Sequence, residues 1–453
     1  MRQHTKPTNW SAGLMAERRP ALITLYRVLA RALTPVLHLI FGYRSRAGKE
    51  IVARKGERFG RPSVSRPLGK LVWVHAASVG ETTSVLPLIE KLFSTGHRVL
   101  LTTVTVTSSE IAEKRLPDGC IHQFAPFDSP GYVARFLEHW KPDLAMVVES
   151  EIWPCMFDEV RTHKIPFVML NGRLSAASAR NWSRLRGTSS YIFGCLDLVL
   201  AQSPADAERL RTLGCQRVET PGNLKFDATL PEADLSDVEE LVSQIGDRLV
   251  WLAALTHPEE DDLVLTAHDV LSKEFPGLLL ILVPRHPARA GEVAERLKSQ
   301  GLRAVRRSQE TTISSTIDVY LGDTLGEMGL YYRLAPVTFL GGSFNDAGGH
   351  SPVEASLLGS ALVTGPRVAN ARTVYNELWA QNAARRVDDP DRLAGAVSGL
   401  LRNPEDANAQ AESARDIVKA GRGAVDKTLS LIEPYLGGAG TGRPPETSSE
   451  QSA

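Results

Sequence analysis

The sequence predicts an α/β protein made of two doubly wound domains, each with a parallel sheet. The chain has 453 residues, more than one hydrophobic core usually spans, so two domains are expected. Short apolar runs alternate with longer amphipathic segments, which is the pattern of β-α-β units. The composition, 43% hydrophobic and 23% charged, is typical of globular proteins and argues against a disordered or fibrous chain.

The first domain is predicted over residues 49–230. Its apolar runs are short, and the segments between them have helical character, as residues 81–94 do. A parallel sheet with helices on its faces follows from this alternation. The runs that we expect to form strands are 71–76, 98–104, 143–149, 166–170 and 198–202.

A second series of runs follows an acidic stretch, so a second domain is predicted over residues 231–436, with the joint near 228–248. The final segment, 437–453, is rich in Gly, Ser, Pro and Thr, a composition that predicts disorder. The expected strands of the second domain are 249–255, 278–284, 318–322, 337–342 and 361–365.

Residues 1–48 are predicted to form a membrane-associated segment. Residues 20–43 are strongly apolar, but Arg27, Arg31 and Pro35 interrupt them, so a spanning helix is disfavoured. The favoured interpretation is a helix in the membrane interface with both arginines on one face. A helix packed on the domain surface and a transmembrane anchor stay open as alternatives. The flanking basic residues would hold the segment at an anionic leaflet: Arg18, Arg19, Arg44, Arg46 and Lys49.

The charge balance and the cysteines exclude several classes of protein. The 52 basic residues equal the 52 acidic ones, so the chain as a whole is not a nucleic-acid binder. The four cysteines are not spaced for zinc or for a disulfide framework. A reducing compartment such as the cytoplasm fits this cysteine usage.

Carboxylates follow two of the expected strands, at the sheet edge where α/β proteins place their sites. Glu81 begins a helix, and we interpret it as a general base that is ionised at neutral pH because the helix dipole favours the charge. The alternative is a capping box with Ser78. Glu149 and Glu151 follow another strand and would point the same way; alternatively, they are helix-start acids before Pro154.

Two basic residues further along the first domain are also candidates, Arg173 after the next strand and Lys225 beside the joint between the domains. Arg173 either pairs with Glu149 and Glu151 or binds an anionic ligand, and the sequence does not rank the two. Lys225, in the run GNLKFD, could neutralise charge that develops on a phosphate. The alternative for Lys225 is an ordinary surface lysine.

Further candidate ligand-binding segments follow strands of the second domain. Arg285 stands between two prolines and suits a phosphate or a nucleobase. Residues 323–327 open a helix, and the glycine-rich run 341–350 would let backbone approach a ligand closely. Ser351 and Pro352 begin the next helix, where Glu354 either completes a capping box or binds ribose hydroxyls. These glycines match neither a Walker P-loop nor GxGxxG, so an NTPase and a nicotinamide enzyme are disfavoured.

Two histidines of this domain, His257 and His286, raise the question of a metal site. They follow different strands, and neither has a paired His or Cys at ligand spacing. A metal site is therefore not predicted.

Twelve short motifs resemble, in their order along the chain, those of 3-deoxy-D-manno-octulosonic acid (Kdo) transferases of lipopolysaccharide synthesis. No single motif is decisive, but so many in register are specific, and they cover roughly residues 50–370. The motifs are HAASVGE, TTVTVTS, APFD, ESEIWP, NGRLS, GNLKFD, THPEE, PRHP, GDTLGE, GGSF, GGHSPVEA and GP.

The resemblance implies the GT-B type of fold, with two Rossmann-like domains that face a cleft. It implies CMP-Kdo as the donor and a tetraacyl lipid A precursor (lipid IVA) as the acceptor, with inversion at the anomeric carbon and without a metal or another cofactor. It also implies a location on the cytoplasmic face of the inner membrane. Membrane lipids would be partners through the N-terminal segment, and nucleic acid would not be one.

The resemblance also implies roles for individual residues. Glu81 would deprotonate the acceptor hydroxyl, and Glu149 and Lys225 would stabilise the transition state. The chain departs from the family at Ser351, where Asn is usual after GGH, and at THPEE, where a THEGEE-like run is usual. The residues that would hold CMP are Pro284, Arg285, Leu325, Gly326, Glu327, Ser351, Pro352, Val353 and Glu354.

Two other kinds of function stay open from the residues alone. One is a glycosyltransferase or epimerase of the same fold that uses a UDP-sugar and a soluble substrate. The other is a non-enzymatic protein that senses a nucleotide or acts as a scaffold. An interfacial N-terminal segment argues against the first, and carboxylates clustered at strand ends argue against the second.

Overall fold

The structure is a computed structural model that describes residues 19–227, 230, 233–309 and 312–437. It confirms the predicted fold class, since it contains two seven-stranded parallel sheets with helices around them. The described residues divide into two compact units, 19–224 together with 423–437, and 225–422. Of the segment predicted to be disordered, all but Gly437 lies outside the described residues.

The sheet of the first unit contains all five predicted strands and two further short ones. Its strands are β1 (Leu71–His75), β2 (Arg98–Thr103), β3 (Ile121–Phe124), β4 (Leu144–Val148), β5 (Phe167–Gly172), β6 (Leu198–Ala201) and β7 (Val218–Glu219). Its helices in this part of the chain are α1 (Ala21–Ala32), α2 (Thr34–Arg46), α3 (Lys55–Arg58), α4 (Val79–Ser94), α5 (Val106–Arg115), α6 (Pro130–Trp140), α7 (Pro154–Thr162), α8 (Ala176–Ser183), α9 (Arg186–Phe193) and α10 (Pro204–Thr212). The strand order is β3-β2-β1-β4-β5-β6-β7.

The second unit repeats this architecture, again with all five predicted strands and two short additions. Its strands are β8 (Val250–Thr256), β9 (Leu279–Pro284), β10 (Ala304–Arg306), β11 (Val319–Leu321), β12 (Val337–Leu340), β13 (Ala361–Thr364) and β14 (Arg385–Arg386). Its helices are α11 (Leu235–Ile245), α12 (Pro258–Glu274), α13 (Ala290–Ser299), α14 (Met328–Leu334), α15 (Val353–Leu357), α16 (Arg372–Ala380), α17 (Leu393–Arg402) and α18 (Pro404–Gly421). The strand order is β10-β11-β9-β8-β12-β13-β14.

The central strands form where the sequence has continuous apolar runs. Every residue of β1, β4, β5 and β6 is buried, because helices cover both faces of a parallel sheet. In β1, Trp73 belongs to the apolar core on one face and Val74 to the core on the other. Strands β8, β9 and β12 are buried in the same way, so they too appear in the sequence as continuous apolar runs.

Each sheet has one strand from which the connections run to both sides of the sheet. In the first sheet, β1 lies between β2 and β4, and in the second, β8 lies between β9 and β12. Connections leave the two sides of such a strand in opposite directions, which opens a crevice at the carboxyl ends of the strands. We call these two places the first and second switch points.

The last helix, α19 (Ala424–Leu436), belongs to the first unit. Val425 and Ile432 are buried in the core on the α4 face of the first sheet. Lys91 of α4 forms an ion pair with Asp426 at the start of α19. The chain thus leaves the first unit at residue 224 and returns to it at 423.

The apolar N-terminal run forms two helices rather than one. The break is at Leu33, and Pro35 stands in the first turn of α2, where its fixed φ and missing N–H cost nothing. Among the described helices, none alone is long and apolar enough to cross a bilayer. By length and composition, α1 and α2 pass that test only as a pair, bent by 61°.

The two arginines that were predicted to share one face of the segment have different surroundings, since Arg31 is exposed and Arg27 is partly buried. Arg27 forms ion pairs with Asp158 and Glu159 of α7, and Arg19 also pairs with Asp158, at 2.8 Å. Because Asp158 is completely buried, these arginines hold α1 against the first unit. The exposed surface of the two helices is mostly apolar, since most of their Leu, Val, Ile and Tyr side chains are exposed.

Candidate active site

Glu81 lies in the first turn of α4, directly beyond β1 and at the first switch point. The hydroxyl of Ser78 accepts the backbone N–H of Glu81 at 3.3 Å and donates to Glu81 Oε1 at 2.8 Å. Glu81 Oε2 accepts the backbone N–H of Ala77 at 2.8 Å. The capping box considered from the sequence is therefore present in modified form. Ser78 caps the helix, and the Glu81 carboxylate accepts the backbone N–H of Ala77 instead of that of Ser78. These bonds hold the carboxylate in one orientation.

The protonation of Glu81 differs from the expectation drawn from the helix dipole. Burial, with 9% of the residue exposed, and repulsion by Glu151 and Glu149 raise the pKa of Glu81 to about 7. Desolvation thus outweighs the dipole, and the prediction of a fully ionised carboxylate at neutral pH is wrong. A carboxylate with a pKa near 7 can both accept and release a proton at physiological pH.

Glu149 and Glu151 stand beyond β4, which is the neighbour of β1. Glu149 has a φ of 55°, a left-handed conformation that is uncommon outside glycine and that occurs at functional sites. Glu151 Oε2 accepts the indole N–H of Trp153 at 2.8 Å. Burial and the charge of Glu149 raise the pKa of Glu151. Since α7 begins at Pro154, both acids precede the helix and are not first-turn acids.

His75, the last residue of β1, supports this cluster and had no role in the sequence interpretation. It is buried, and its Nδ1 lies 2.9 Å from the hydroxyl of Thr102 on β2. Burial lowers the pKa of His75 to about 4, so the ring is neutral at pH 7. Its ring contacts that of Trp153 edge-on, with centroids 5.1 Å apart, and Trp153 in turn donates to Glu151. The sequence feature that could have indicated this supporting role is the position of His75 at the end of an apolar run.

Arg173 does not pair with the two acids. Among the residues that the structure describes, it forms no ion pair with Glu149 or Glu151. The remaining interpretation, contact with an anionic ligand, stays a prediction. Nearby, Asn171 has a φ of 52°, and its Oδ1 accepts the backbone N–H of Leu224 at 3.1 Å.

Lys225 is the first residue of the second unit and lies beside its glycine-rich loop. Its ammonium donates to the backbone carbonyl of Asn370 at 3.2 Å. The Asn370 amide donates to the carbonyls of Ala347, at 2.8 Å, and Gly349, at 3.2 Å. Lys225 is thus grouped with the nucleotide-binding candidates, while Glu81 and Glu149 are grouped in the first unit.

Glu260 organises the glycine-rich loop, a function that the sequence did not reveal. Its buried carboxylate accepts four backbone N–H groups, from His257 at 3.2 Å, Gly342 at 2.6 Å, Ser343 at 3.0 Å and Phe344 at 3.1 Å. A Cβ at position 341 would lie 2.9 Å from Glu260 Oε2 and 2.7 Å from a backbone carbonyl oxygen, so glycine is required there. The second glutamate of THPEE was the available signal.

Arg285 and two histidines meet at the second switch point. The Nε2 atoms of His257 and His350 are 3.2 Å apart, and their rings stack. Burial, the charge of Arg285 and the neighbouring His257 lower the pKa of His350 to about 3. Arg285 is fixed by its backbone N–H, which donates to Thr256 at 2.9 Å. Within the described ranges its guanidinium has no ion pair, so it is available to an anion.

The remaining CMP-binding candidates follow β11 and β12, at the same edge as Arg285. Glu327 pairs with Arg307 at 2.7 Å, and Gly326 has a φ of 91°. The hydroxyl of Ser351 accepts the backbone N–H of Val353 at 3.4 Å. The prediction that Pro352 is the first residue of the next helix is wrong by one position, because α15 begins at Val353 and Pro352 is the residue before it. Contacts of these residues with CMP stay predictions, as do those of Pro284, Leu325 and Glu354.

No group of three or more His, Cys, Asp and Glu side chains in the described part of the chain is arranged to hold a metal ion. The four cysteines are free. His257 and His286 do lie near one another, with ring centroids 6.3 Å apart. That catalysis needs no metal stays a prediction from the family resemblance.

Comparisons with known proteins identify the family. Residues 53–228 match the family model described as 3-deoxy-D-manno-octulosonic-acid transferase (kdotransferase). The 3-deoxy-D-manno-octulosonic acid transferase of Haemophilus influenzae is 32% identical, over 91% of this chain and 98% of that protein. The corresponding transferase of Bordetella pertussis is 35% identical, over 91% of this chain and 99% of that protein.

A solved glycosyltransferase from Rickettsia africae matches 82% of this chain and 100% of its own, with a TM-score of 0.53 and 12% identity. That likeness shows the fold alone, and it agrees with the predicted GT-B type. The sequence identities extend over nearly the whole chain and confirm the resemblance carried by the motifs. The chain belongs to the 3-deoxy-D-manno-octulosonic acid (Kdo) transferase family.

Proposed function

We propose that the protein transfers Kdo from CMP-Kdo to a sugar hydroxyl of a tetraacyl lipid A precursor, lipid IVA. The observation that carries this proposal is the identity to Kdo transferases over 91% of the chain. The reaction would be a step of lipopolysaccharide synthesis at the cytoplasmic face of the inner membrane. The exposed apolar side of α1 and α2 supports contact with membrane lipids.

The proposed transfer is a single displacement with inversion at the anomeric carbon. The acceptor hydroxyl oxygen forms a bond to the anomeric carbon of Kdo as the bond from that carbon to the CMP phosphate oxygen breaks. The hydroxyl proton passes to a base, and CMP leaves with the electron pair of the broken bond. The protein must therefore accept one proton and stabilise the negative charge of the departing phosphate.

Glu81 is the proposed base. Its carboxylate is oriented by Ala77 and Ser78, and a pKa of about 7 gives it a larger driving force for proton uptake than an ordinary carboxylate has. A base contributes about 10²–10⁴-fold to such a step. Glu149, within the electrostatic range of Glu81, would stabilise the transition state.

Arg285 and the loop after β12 are proposed to hold the nucleotide. The guanidinium of Arg285 at the second switch point has no ion pair with the described residues, and backbone N–H groups of glycine-rich loops suit phosphates. Lys225, whose ammonium donates to the carbonyl of Asn370 beside that loop, would stabilise charge on the departing phosphate. The other proposed CMP contacts are Pro284, Leu325, Gly326, Glu327, Ser351, Pro352, Val353 and Glu354.

The test uses the purified full-length protein with CMP-Kdo and the tetraacyl lipid A precursor, and mass spectrometry of the lipid product. The protein should add Kdo to the lipid. Glu81→Gln should lose about 10²–10⁴-fold in transfer rate and keep its affinity for CMP. The glutamine oxygen can still accept the backbone N–H of Ala77, and its NH₂ can donate to the Ser78 hydroxyl, so the helix start should survive.

Asp206→Asn is the matched control, since Asp206 forms a similar capping arrangement with Ser203 at the start of α10. It should keep most of the transfer activity. Near-normal transfer by Glu81→Gln would overturn the assignment of the base. Absence of any Kdo-lipid product from the wild-type protein would overturn the proposed function.

A further inference from the structure

A cationic cavity of about 430 Å³ lies on the first unit, beside the N-terminal helices. Its lining includes the rings of Phe59 and Tyr132, which meet edge-on with centroids 5.2 Å apart. His38 of α2 also lines the cavity and stacks on Phe59 at 4.1 Å. The lysine and arginine side chains of the lining are Lys55, Arg61 and Arg135, and no carboxylate is among the described residues that line the cavity.

The lysine and the two arginines of this cavity form no ion pair with any residue that the structure describes. Within the described residues, Lys55, Arg61 and Arg135 have no carboxylate partner, whereas neighbouring basic residues do. Lys55 Nζ lies 5.6 Å from the centroid of the Phe41 ring, and Arg135 donates to the backbone carbonyl of Phe59 at 2.7 Å. Unneutralised positive charge concentrated on one concave surface attracts an anion.

Exposed apolar side chains on the helices beside the cavity indicate which kind of anion the cavity binds. On α2, which supplies His38, Leu39 is 74% and Tyr43 is 75% exposed. Of the twenty large apolar side chains exposed in the described part of the chain, ten lie between residues 22 and 43. An apolar helix surface next to a cationic pocket matches an amphiphile that carries a phosphate on an acyl-chain anchor.

We propose that this cavity binds the phosphate headgroup of an anionic membrane phospholipid, while the exposed side chains of α1 and α2 contact its acyl chains. Arg19, Arg27 and Arg44 pair with carboxylates of the protein, whereas the cavity cations have no such partner among the described residues. The cavity cations are therefore the groups that would contact the lipid phosphate. The proposal needs no transfer step. It therefore stands or falls separately from the proposed Kdo transfer.

The experiment titrates the full-length protein with monomeric dihexanoylphosphatidylglycerol and follows binding by calorimetry. The wild type should show saturable binding of one lipid. The variant Lys55→Gln/Arg61→Gln should bind at least tenfold more weakly, because each charge-assisted phosphate contact contributes about one to two powers of ten. The matched control, Lys114→Gln/Arg115→Gln, removes the same charge from exposed residues of α5 that do not line the cavity, and should change affinity less than threefold.

Thermal melting verifies that each variant is folded. If the double variant unfolds, Arg61→Gln alone should still weaken binding at least threefold, and unchanged affinity there would overturn the proposal. Equal losses in the cavity and control variants would show general attraction to basic surface and would also overturn it. So would binding of inorganic phosphate as tight as that of the lipid.

A final comparison separates the bilayer lipid from the acceptor lipid. If Lys55→Gln/Arg61→Gln raises KM for the lipid A precursor and leaves phosphatidylglycerol binding unchanged, the cavity serves the acceptor, and the proposal is overturned. Loss of phosphatidylglycerol binding with an unchanged KM for the soluble donor CMP-Kdo supports it.

Discussion

The two switch points of this protein share one topology and carry opposite charge. In each unit, the first strand of the sheet is flanked on one side by the second strand and on the other by a strand reached later in the chain. Beyond β1 and β4 stand the carboxylates Glu81, Glu149 and Glu151. Beyond β8 and β9 stand histidines and Arg285, whose guanidinium forms no ion pair in the described part of the chain. The fold thus sets where a site lies, and the residues after the strands set its chemistry.

This difference in charge has opposite effects on protonation. At the first switch point, burial and neighbouring carboxylates raise the pKa of Glu81 to about 7, which makes a proton acceptor. At the second, burial and Arg285 lower the pKa of His350 to about 3, so His350 stays neutral and Arg285 provides the positive charge. One unit is suited to take a proton, and the other to hold an anion.

The largest effect beyond the loss of the base is expected at Glu260, which shapes the second switch point without a ligand contact of its own. Glu260→Gln replaces a carboxylate that accepts four backbone N–H groups with an amide whose NH₂ faces those donors. We expect the free energy of unfolding to fall by about 3 kcal/mol, together with CMP affinity. Urea denaturation and calorimetric titration with CMP measure the two effects.

Glu259→Gln is the control, because Glu259 is adjacent and exposed and accepts a long hydrogen bond from the Asn345 amide, at 3.4 Å. Its unfolding free energy should change by no more than about 0.5 kcal/mol. Equal stability losses for the two variants would mean that the loop does not depend on the buried carboxylate.

Removal of the cation of the second switch point should weaken nucleotide binding specifically. Arg285→Gln should lower the affinity for CMP about 10–100-fold, the effect of one charge-assisted phosphate contact, with little change in the melting temperature. The control Arg296→Gln removes a cation of the same unit that forms a surface ion pair with Asp262, and it should bind CMP normally. Calorimetric titration decides; unchanged CMP affinity in Arg285→Gln would remove Arg285 from the nucleotide site.

Much of this comparison could be predicted from the sequence, because central parallel strands are buried on both faces and leave continuous apolar runs. The ten predicted strands all form, and Glu81, Glu149 and Arg285 follow three of them. The strands β3, β7, β10 and β14 have only two to four residues, several of them polar or half-exposed, so they leave little pattern. The return of α19 to the first unit depends on packing against α4, which is remote in sequence.

The electrostatic partners of charged residues could not be predicted from the local sequence. Arg27 looks like a membrane-facing residue on a helical wheel, but its partner Asp158 is 131 residues away. The raised pKa of Glu81 depends on Glu149 and Glu151, which follow a different strand. Glu260 acts on a loop more than 80 residues further along the chain. A helix dipole or a charged face can be read locally, but burial and distant charges decide the outcome.

The smallest effect is expected at Glu151, where a substitution should shift a pKa. It tests whether the protonation of Glu81 depends on the charge of Glu151. Glu151→Gln removes a negative charge near Glu81, while its side-chain oxygen can still accept the Trp153 indole N–H. The base form of Glu81 is present above its pKa of about 7 and is lost as pH falls. With less repulsion, the pKa of Glu81 should decrease, so the acid limb of kcat/KM should move to lower pH.

The pH profile of Kdo transfer between pH 5 and 8 measures this shift, with Glu113→Gln, an exposed residue of α5, as the control. Burial of Glu81 persists in the variant, so the midpoint should lie below that of the wild type but above the ordinary range of a glutamate. Activity relative to the plateau should therefore increase most near pH 6. An unmoved midpoint would show that the limb reports another group, and the contrast between the switch points would then rest on geometry rather than on coupled protonation.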